Sequence, residues 1–148
     1  MKKTRFLIVA ASVVVATTIS VIGAAGTANA HDARTLPVGQ SFVSVALLAD
    51  DPTNVPPVGA PLRLTFPQPG AIEYTAGCNY FRGTAVIDHN RLNVRDLVST
   101  RRFCEGPSTA VETWFTNLVN ESPRWRNSAA TITLTSTSAA AGFVRTTP

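Results

Sequence analysis

Hydrophobic residues recur at helical spacing in one stretch of this chain. Val111, Trp114, Phe115, Leu118 and Val119 stand at i, i+3, i+4, i+7 and i+8, a single apolar stripe along one side of an α-helix. Thr109 with Glu112 three residues later matches a capping box, Pro107 precedes it, and Ser122-Pro123 closes the segment. Around this stretch the pattern is that of strands. Leu62, Leu64 and Phe66 alternate with Arg63 and Thr65, and Ile132 and Leu134 alternate within Thr131–Thr135. Further strands are expected at Phe42–Leu48, Ile72–Ala76, Phe81–Ile87, Leu92–Val94, around Trp125 and at Gly142–Val144. Between them lie Pro67-Gln68-Pro69-Gly70, Asp88-His89-Asn90, the proline-rich stretch 50–61 and the Ser/Ala/Thr stretch 136–141, all read as turns or loops. A run of strands, one helix and more strands is not a βαβ repeat. It predicts an α+β, mainly β fold: an antiparallel sheet or open barrel with one packed amphipathic helix.

The N-terminus has the organisation of an export signal. Lys2, Lys3 and Arg5 precede an apolar run from Phe6 to Ile22, and Ala28-Asn29-Ala30 is a small-x-small cleavage sequence. The expected division is a signal peptide over 1–30, cleaved after Ala30, a flexible leader over 31–40 and a domain over 41–145. Retention of the apolar run as an anchor is the alternative. After cleavage no membrane span is expected, and the protein is placed outside the cytoplasm, secreted or held in the periplasm or cell wall. Setting the signal aside removes three of the 13 basic residues against 9 acids and takes the formal charge from +4 to +1. A chain so balanced lacks the clustered basic surface that nucleic-acid binding requires.

Cys78 and Cys104 are the two cysteines of the chain. In an oxidising compartment an even count reads as a disulfide, which would close a loop worth about 3.5 kcal/mol on the chain-entropy account. A redox pair would call for a C-x-x-C arrangement. A zinc site would need more ligands than two cysteines, His89 and His31 at no familiar spacing supply. Asn79, after Gly77-Cys78, suits a turn residue that bonds neighbouring backbone. His89 falls in a turn with no Gly-x-Ser-x-Gly context, and Asp50-Asp51 lack the pattern of a calcium loop. No catalytic, cofactor-binding or metal-ligating residue is therefore assigned. Trp125 between Arg124 and Arg126 carries two readings: a core indole with two outward bases, or an aromatic ligand platform flanked by arginines.

Two motifs together carry a resemblance. Gly77-Cys78-Asn79-Tyr80-Phe81-Arg82-Gly83 is followed by Ser99-Thr100-Arg101-Arg102-Phe103-Cys104, then by Glu112 and Phe115, and finally by Ile132-Thr133-Leu134 and Phe143. This succession, from about Ser41 to Val144, resembles the META domain, or HslJ-like, family. Phe42 stands where the family often has tryptophan, and Arg102-Phe103 where methionine usually precedes the cysteine. The resemblance implies a small β-rich domain of the cell envelope or exterior, in a family with members linked to heat shock, antibiotic tolerance or virulence and with no established reaction. It marks Gly77, Asn79, Thr100 and Glu112 as motif residues. The resulting expectation is a monomeric, non-enzymatic binding module that needs no cofactor. Its partner would be an envelope or extracellular protein or a small molecule, and Arg124, Trp125 and Arg126 are a candidate binding surface. The alternative is a carrier holding a small apolar ligand in a pocket of the curved sheet, which would need a cavity of at least about 300 Å³.

Overall fold

The computed structural model describes residues 35–55 and 62–146. The expected signal peptide, its cleavage point and residues 31–34 of the leader lie outside the described residues. Eight strands and one α-helix follow in order: β1 Gln40–Ala49, β2 Arg63–Phe66, β3 Ala71–Ala76, β4 Asn79–Asp88, β5 Arg91–Ser99, α1 Pro107–Asn120, β6 Arg124–Asn127, β7 Thr131–Thr135 and β8 Ala139–Arg145. Each strand pairs antiparallel with the next, and β8 returns to pair with β1, closing the barrel. The open form of the expectation is thus replaced by a closed one. The small residues Ala139, Ala140 and Ala141, read from sequence as loop, extend β8 and pair with Ala49, Leu48 and Leu47.

The wall is uneven. β4 and β5 pair over most of their length, from Asp88↔Arg91 to Phe81↔Ser99, with a bulge near Gly83. β5 and β6 share one register pair, Arg91↔Arg124, supported by Leu92 N–H donating to Pro123 O and Trp125 N–H to Asn90 O. The helix sits in the chain between these two strands, and Val111, Phe115, Leu118 and Val119 on its stripe are buried against the barrel. Trp114, on the stripe's flank, is partly buried.

Inside, strand alternation puts Leu64, Phe66, Ile72, Tyr74, Ile132 and Leu134 in the core, as the sequence pattern requires. Two sets of ring contacts run through it. Phe42 meets Phe66 edge-on at 6.3 Å between centroids, and Phe66 meets Trp125 at 5.7 Å. Tyr74 stacks on Phe81 at 4.6 Å and meets Phe115 edge-on at 5.0 Å, and Phe115 in turn meets Phe143. Edge-to-face pairs add favourable quadrupole contact to the area they bury. The chain preceding β1 also joins this packing: Leu36 lies against the core and Pro37 is buried, while Thr35, Val38 and Gly39 are exposed.

Candidate functional site

Gly77 and Cys78 form the two-residue turn between β3 and β4, where Ala76 pairs with Asn79. Gly77 has a φ of +61° at the first central position, where a II′ hairpin turn favours glycine. A side chain is excluded there for a second reason. A Cβ on Gly77 would land on the carbonyl of Ser108, with the carbonyl carbon 2.9 Å away. The turn thus butts against the first turn of α1. Cys78 is bonded to Cys104 with the Cα atoms 6.0 Å apart, which ties the same corner to the segment leading into the helix.

Asn79, the first residue of β4, is the one buried polar or charged residue among those described, 4% exposed. Its amide is used on every side. Oδ1 accepts from the Thr100 hydroxyl at 2.9 Å and from the Arg102 backbone N–H at 2.9 Å. Nδ2 donates to Glu112 Oε2 at 2.8 Å and to the Arg102 carbonyl at 3.2 Å, with the Cys104 sulfur 3.3 Å away. Because Arg102 N–H can only donate and a carboxylate can only accept, the network fixes which way the amide faces. Thr100 also accepts from Tyr80 N–H at 3.0 Å.

One side chain therefore binds β4, the segment after β5 and the helix. Gly77, Cys78 and Asn79 thus meet Thr100, Cys104 and Glu112, remote from them in sequence, at one corner.

This placement corrects the capping box. Gly106 occupies the N-cap of α1 without a side-chain bond, and Pro107 starts the helix. Glu112 reaches to Asn79, and the Thr109 hydroxyl donates to Cys104 O at 2.8 Å. Close by, burial pushes the Tyr74 phenol up to about 12; the Thr116 hydroxyl beside it pulls the other way and the Glu112 carboxylate adds a small rise.

The corner has an outward consequence. Phe103, between Arg102 with both backbone groups held by Asn79 and Cys104 held by the disulfide, is 90% exposed. Sequence reasoning misses this large ring standing in solvent between two anchored neighbours, although Arg-Arg-Phe outside any alternating strand is the signal for it.

Trp125 is 1% exposed. It is a core indole in contact with Phe66, and the platform reading for it is set aside. Arg124 and Arg126, its neighbours on β6, are exposed on the outer face. His89 lies on the β4–β5 turn with a φ of 48°; its Nδ1 is 2.7 Å from Asp88 Oδ1. Among the described residues no group of three or more His, Cys, Asp or Glu side chains is placed to hold a metal ion, and no helix is long and apolar enough to cross a membrane.

The family model of the META domain matches residues 36–147. No curated protein matches the chain. An NMR structure of a protein from Burkholderia xenovorans is similar in fold: TM-score 0.59, 21% identity, covering 74% of this chain and 83% of that one. A second NMR structure has a TM-score of 0.55 and 20% identity over 71% of this chain and 87% of its own.

Proposed function

The chain belongs to the META domain family, and from this premise we propose that it is a non-enzymatic, extracytoplasmic binding module that docks through Phe103. The observation that carries the reading is the direction of its polar chemistry. Asn79, Thr100 and Glu112 spend their hydrogen bonds on one another and on backbone. What they hold in place, Phe103, faces solvent. An exposed aromatic preceded by two arginines, on backbone anchored at both of its neighbours, has the composition of an interface hot spot, and the backbone part of its ordering cost is already met by the fold. The bridge between Cys78 and Cys104 supports residence in an oxidising compartment. Arg101 and Arg102 fit a partner whose apolar pocket has an acidic rim. The carrier alternative draws no support from an interior in which Phe42, Phe66, Phe115, Phe143, Tyr74 and Trp125 are each 0–1% exposed and form two sets of ring contacts, Phe42–Phe66–Trp125 and Tyr74–Phe115–Phe143.

The test is parallel capture from an envelope extract by the oxidised chain and by its Phe103→Ala variant, with proteins and small molecules identified by mass spectrometry. A species retained by the parent and lost by a variant of unchanged melting temperature is expected. Identical retention by the two proteins would sink the docking role of Phe103.

A further inference from the structure

A second feature lies at the other end of β5, where the barrel closes most thinly. The one register pair between β5 and β6 is Arg91↔Arg124. Residues directly opposite in an antiparallel pair share a face, and like charges there destabilise the pairing. Arg126 stands two residues along β6 on the same face as Arg124, because Trp125 between them points into the core. These three arginines, with His89, line an outward cleft of about 420 Å³. Arg91 is oriented there by donating from Nη1 to Ser122 O at 2.9 Å.

No salt bridge reaches any of the three among the described residues. The nearest acid by register, Asp88 opposite Arg91, turns its carboxylate to His89 at 2.7 Å. On the neighbouring strand Thr135 faces Arg124 and Thr133 faces Arg126, so the strand next to the arginines carries hydroxyls and no carboxylate. Three uncompensated guanidinium groups around a cleft large enough for a phosphorylated small molecule are matched by an anion with several oxygens and more than one charge, more closely than by a single carboxylate.

We propose that the cleft formed by Arg91, Arg124 and Arg126 binds a phosphate ester, and that the bound phosphate bridges the two strands and closes the β5–β6 seam. This goes beyond docking through Phe103, which lies past the opposite end of β5. The ligand stabilises the fold by mass action because the unfolded chain does not assemble the three arginines.

The experiment titrates the purified oxidised chain with sn-glycerol 3-phosphate at constant ionic strength, following amide and arginine side-chain NMR signals and the melting temperature. Vesicles of phosphatidylglycerol in phosphatidylcholine, against phosphatidylcholine alone, form a second arm scored by co-sedimentation. Saturable shifts at Arg91, Arg124 and Arg126 with a melting temperature raised by several degrees assign a soluble phosphate ester. Retention on the anionic vesicles without a response to glycerol 3-phosphate assigns a phospholipid headgroup. In either arm Arg124→Gln and Arg126→Gln must weaken binding at least tenfold. Arg124→Gln without ligand should melt no lower than the parent, since it removes a like-charge pair, so its loss of response is not loss of fold. No response in either arm, or one that sodium chloride reproduces or that survives Arg124→Gln, overturns the proposal.

Discussion

Asn79 holds together three segments that are remote in sequence, and its chemistry makes the interaction testable by exchange of donor for acceptor. Asn79→Asp keeps the acceptor that serves Thr100 and Arg102 N–H but replaces the donor aimed at Glu112 with a carboxylate oxygen at 2.8 Å. Two carboxylates at that separation repel in a poorly hydrated place, and the Arg102 carbonyl loses its partner as well. The variant should lose about 3 kcal/mol at pH 7. Adding Glu112→Gln to Asn79→Asp restores a donor and should recover about half of that loss, which urea unfolding of the four proteins of the cycle will measure. If the double variant is no more stable than Asn79→Asp alone, the bond to Glu112 is not what Asn79 is for. Tyr74 gives a pH signature at the same scale. Its folded pKa of about 12 lies above the ordinary value of 10, so the folded state holds the proton that the unfolded state releases first. The associated stability is complete below pH 10 and is lost as pH rises toward 12, by about 2–3 kcal/mol. Tyr74→Phe should lack this component of the alkaline loss in stability-against-pH curves, while Tyr80 stays in both proteins. The sequence suggests a turn residue bonding neighbouring backbone, and the structure corrects this: Asn79 starts β4 and is a hub whose partners Thr100, Arg102 and Glu112 lie 21 to 33 positions away, beyond the reach of any local pattern. Glu112 misled for the same reason: local spacing matched a capping box, and a partner from another strand took the carboxylate instead.

At the scale of elements, α1 is anchored at its start more than by its own capping. The helix begins at a glycine without a side-chain cap. What fixes it is the corner ahead of it: the Cys78–Cys104 bridge, the bond from Thr109 to Cys104 O and the close approach of Gly77 to Ser108. Reduction of the bridge should therefore cost about 3.5 kcal/mol, the chain-entropy value for a loop of this size, and the loss should show first in hydrogen exchange of the initial helical turn. Urea unfolding with and without a reductant, together with exchange at Ala110 and Val111, checks both parts. Equal protection of those amides in the two forms would show that the bridge acts on the unfolded chain alone. Strand positions with one buried face were readable: Leu62, Leu64 and Phe66 are all 0% exposed. Strand β1 was placed correctly, but its faces were not readable. Its run of Val45, Ala46, Leu47 and Leu48 does not alternate, and a bulge between Ser44 and Ala46 leaves Val45 63% and Leu48 62% exposed.

For the molecule as a whole, closure of the barrel was the part no local pattern could reveal. It rests on β1 meeting β8 about a hundred residues later, on small alanines that read as loop, and on a β5–β6 seam of one register pair. Closure pairs the strand edges everywhere except along β5 past Arg91, which has no β6 partner, so this weakest joint decides where the barrel opens. That joint carries Arg91 opposite Arg124, with Asp88 on the far side of Arg91. The substitution Arg124→Glu sets Arg91 between two acids, Asp88 and the introduced carboxylate, and leaves the Arg91 bond to Ser122 O untouched. Exchanging a like pair for an opposite one across strands is worth about 0.5–1 kcal/mol at an exposed position. Arg124→Glu should thus raise the melting temperature in low salt, with the gain shrinking as salt is added. It should also slow exchange of the two amides that cross the seam, those of Leu92 and Trp125. The same variant should show no response to glycerol 3-phosphate, since the added carboxylate occupies the place of the anion. A gain in stability with unchanged exchange at Leu92 and Trp125 would mean that the barrel opens elsewhere, and that the arginine pair bears on overall charge without controlling the seam.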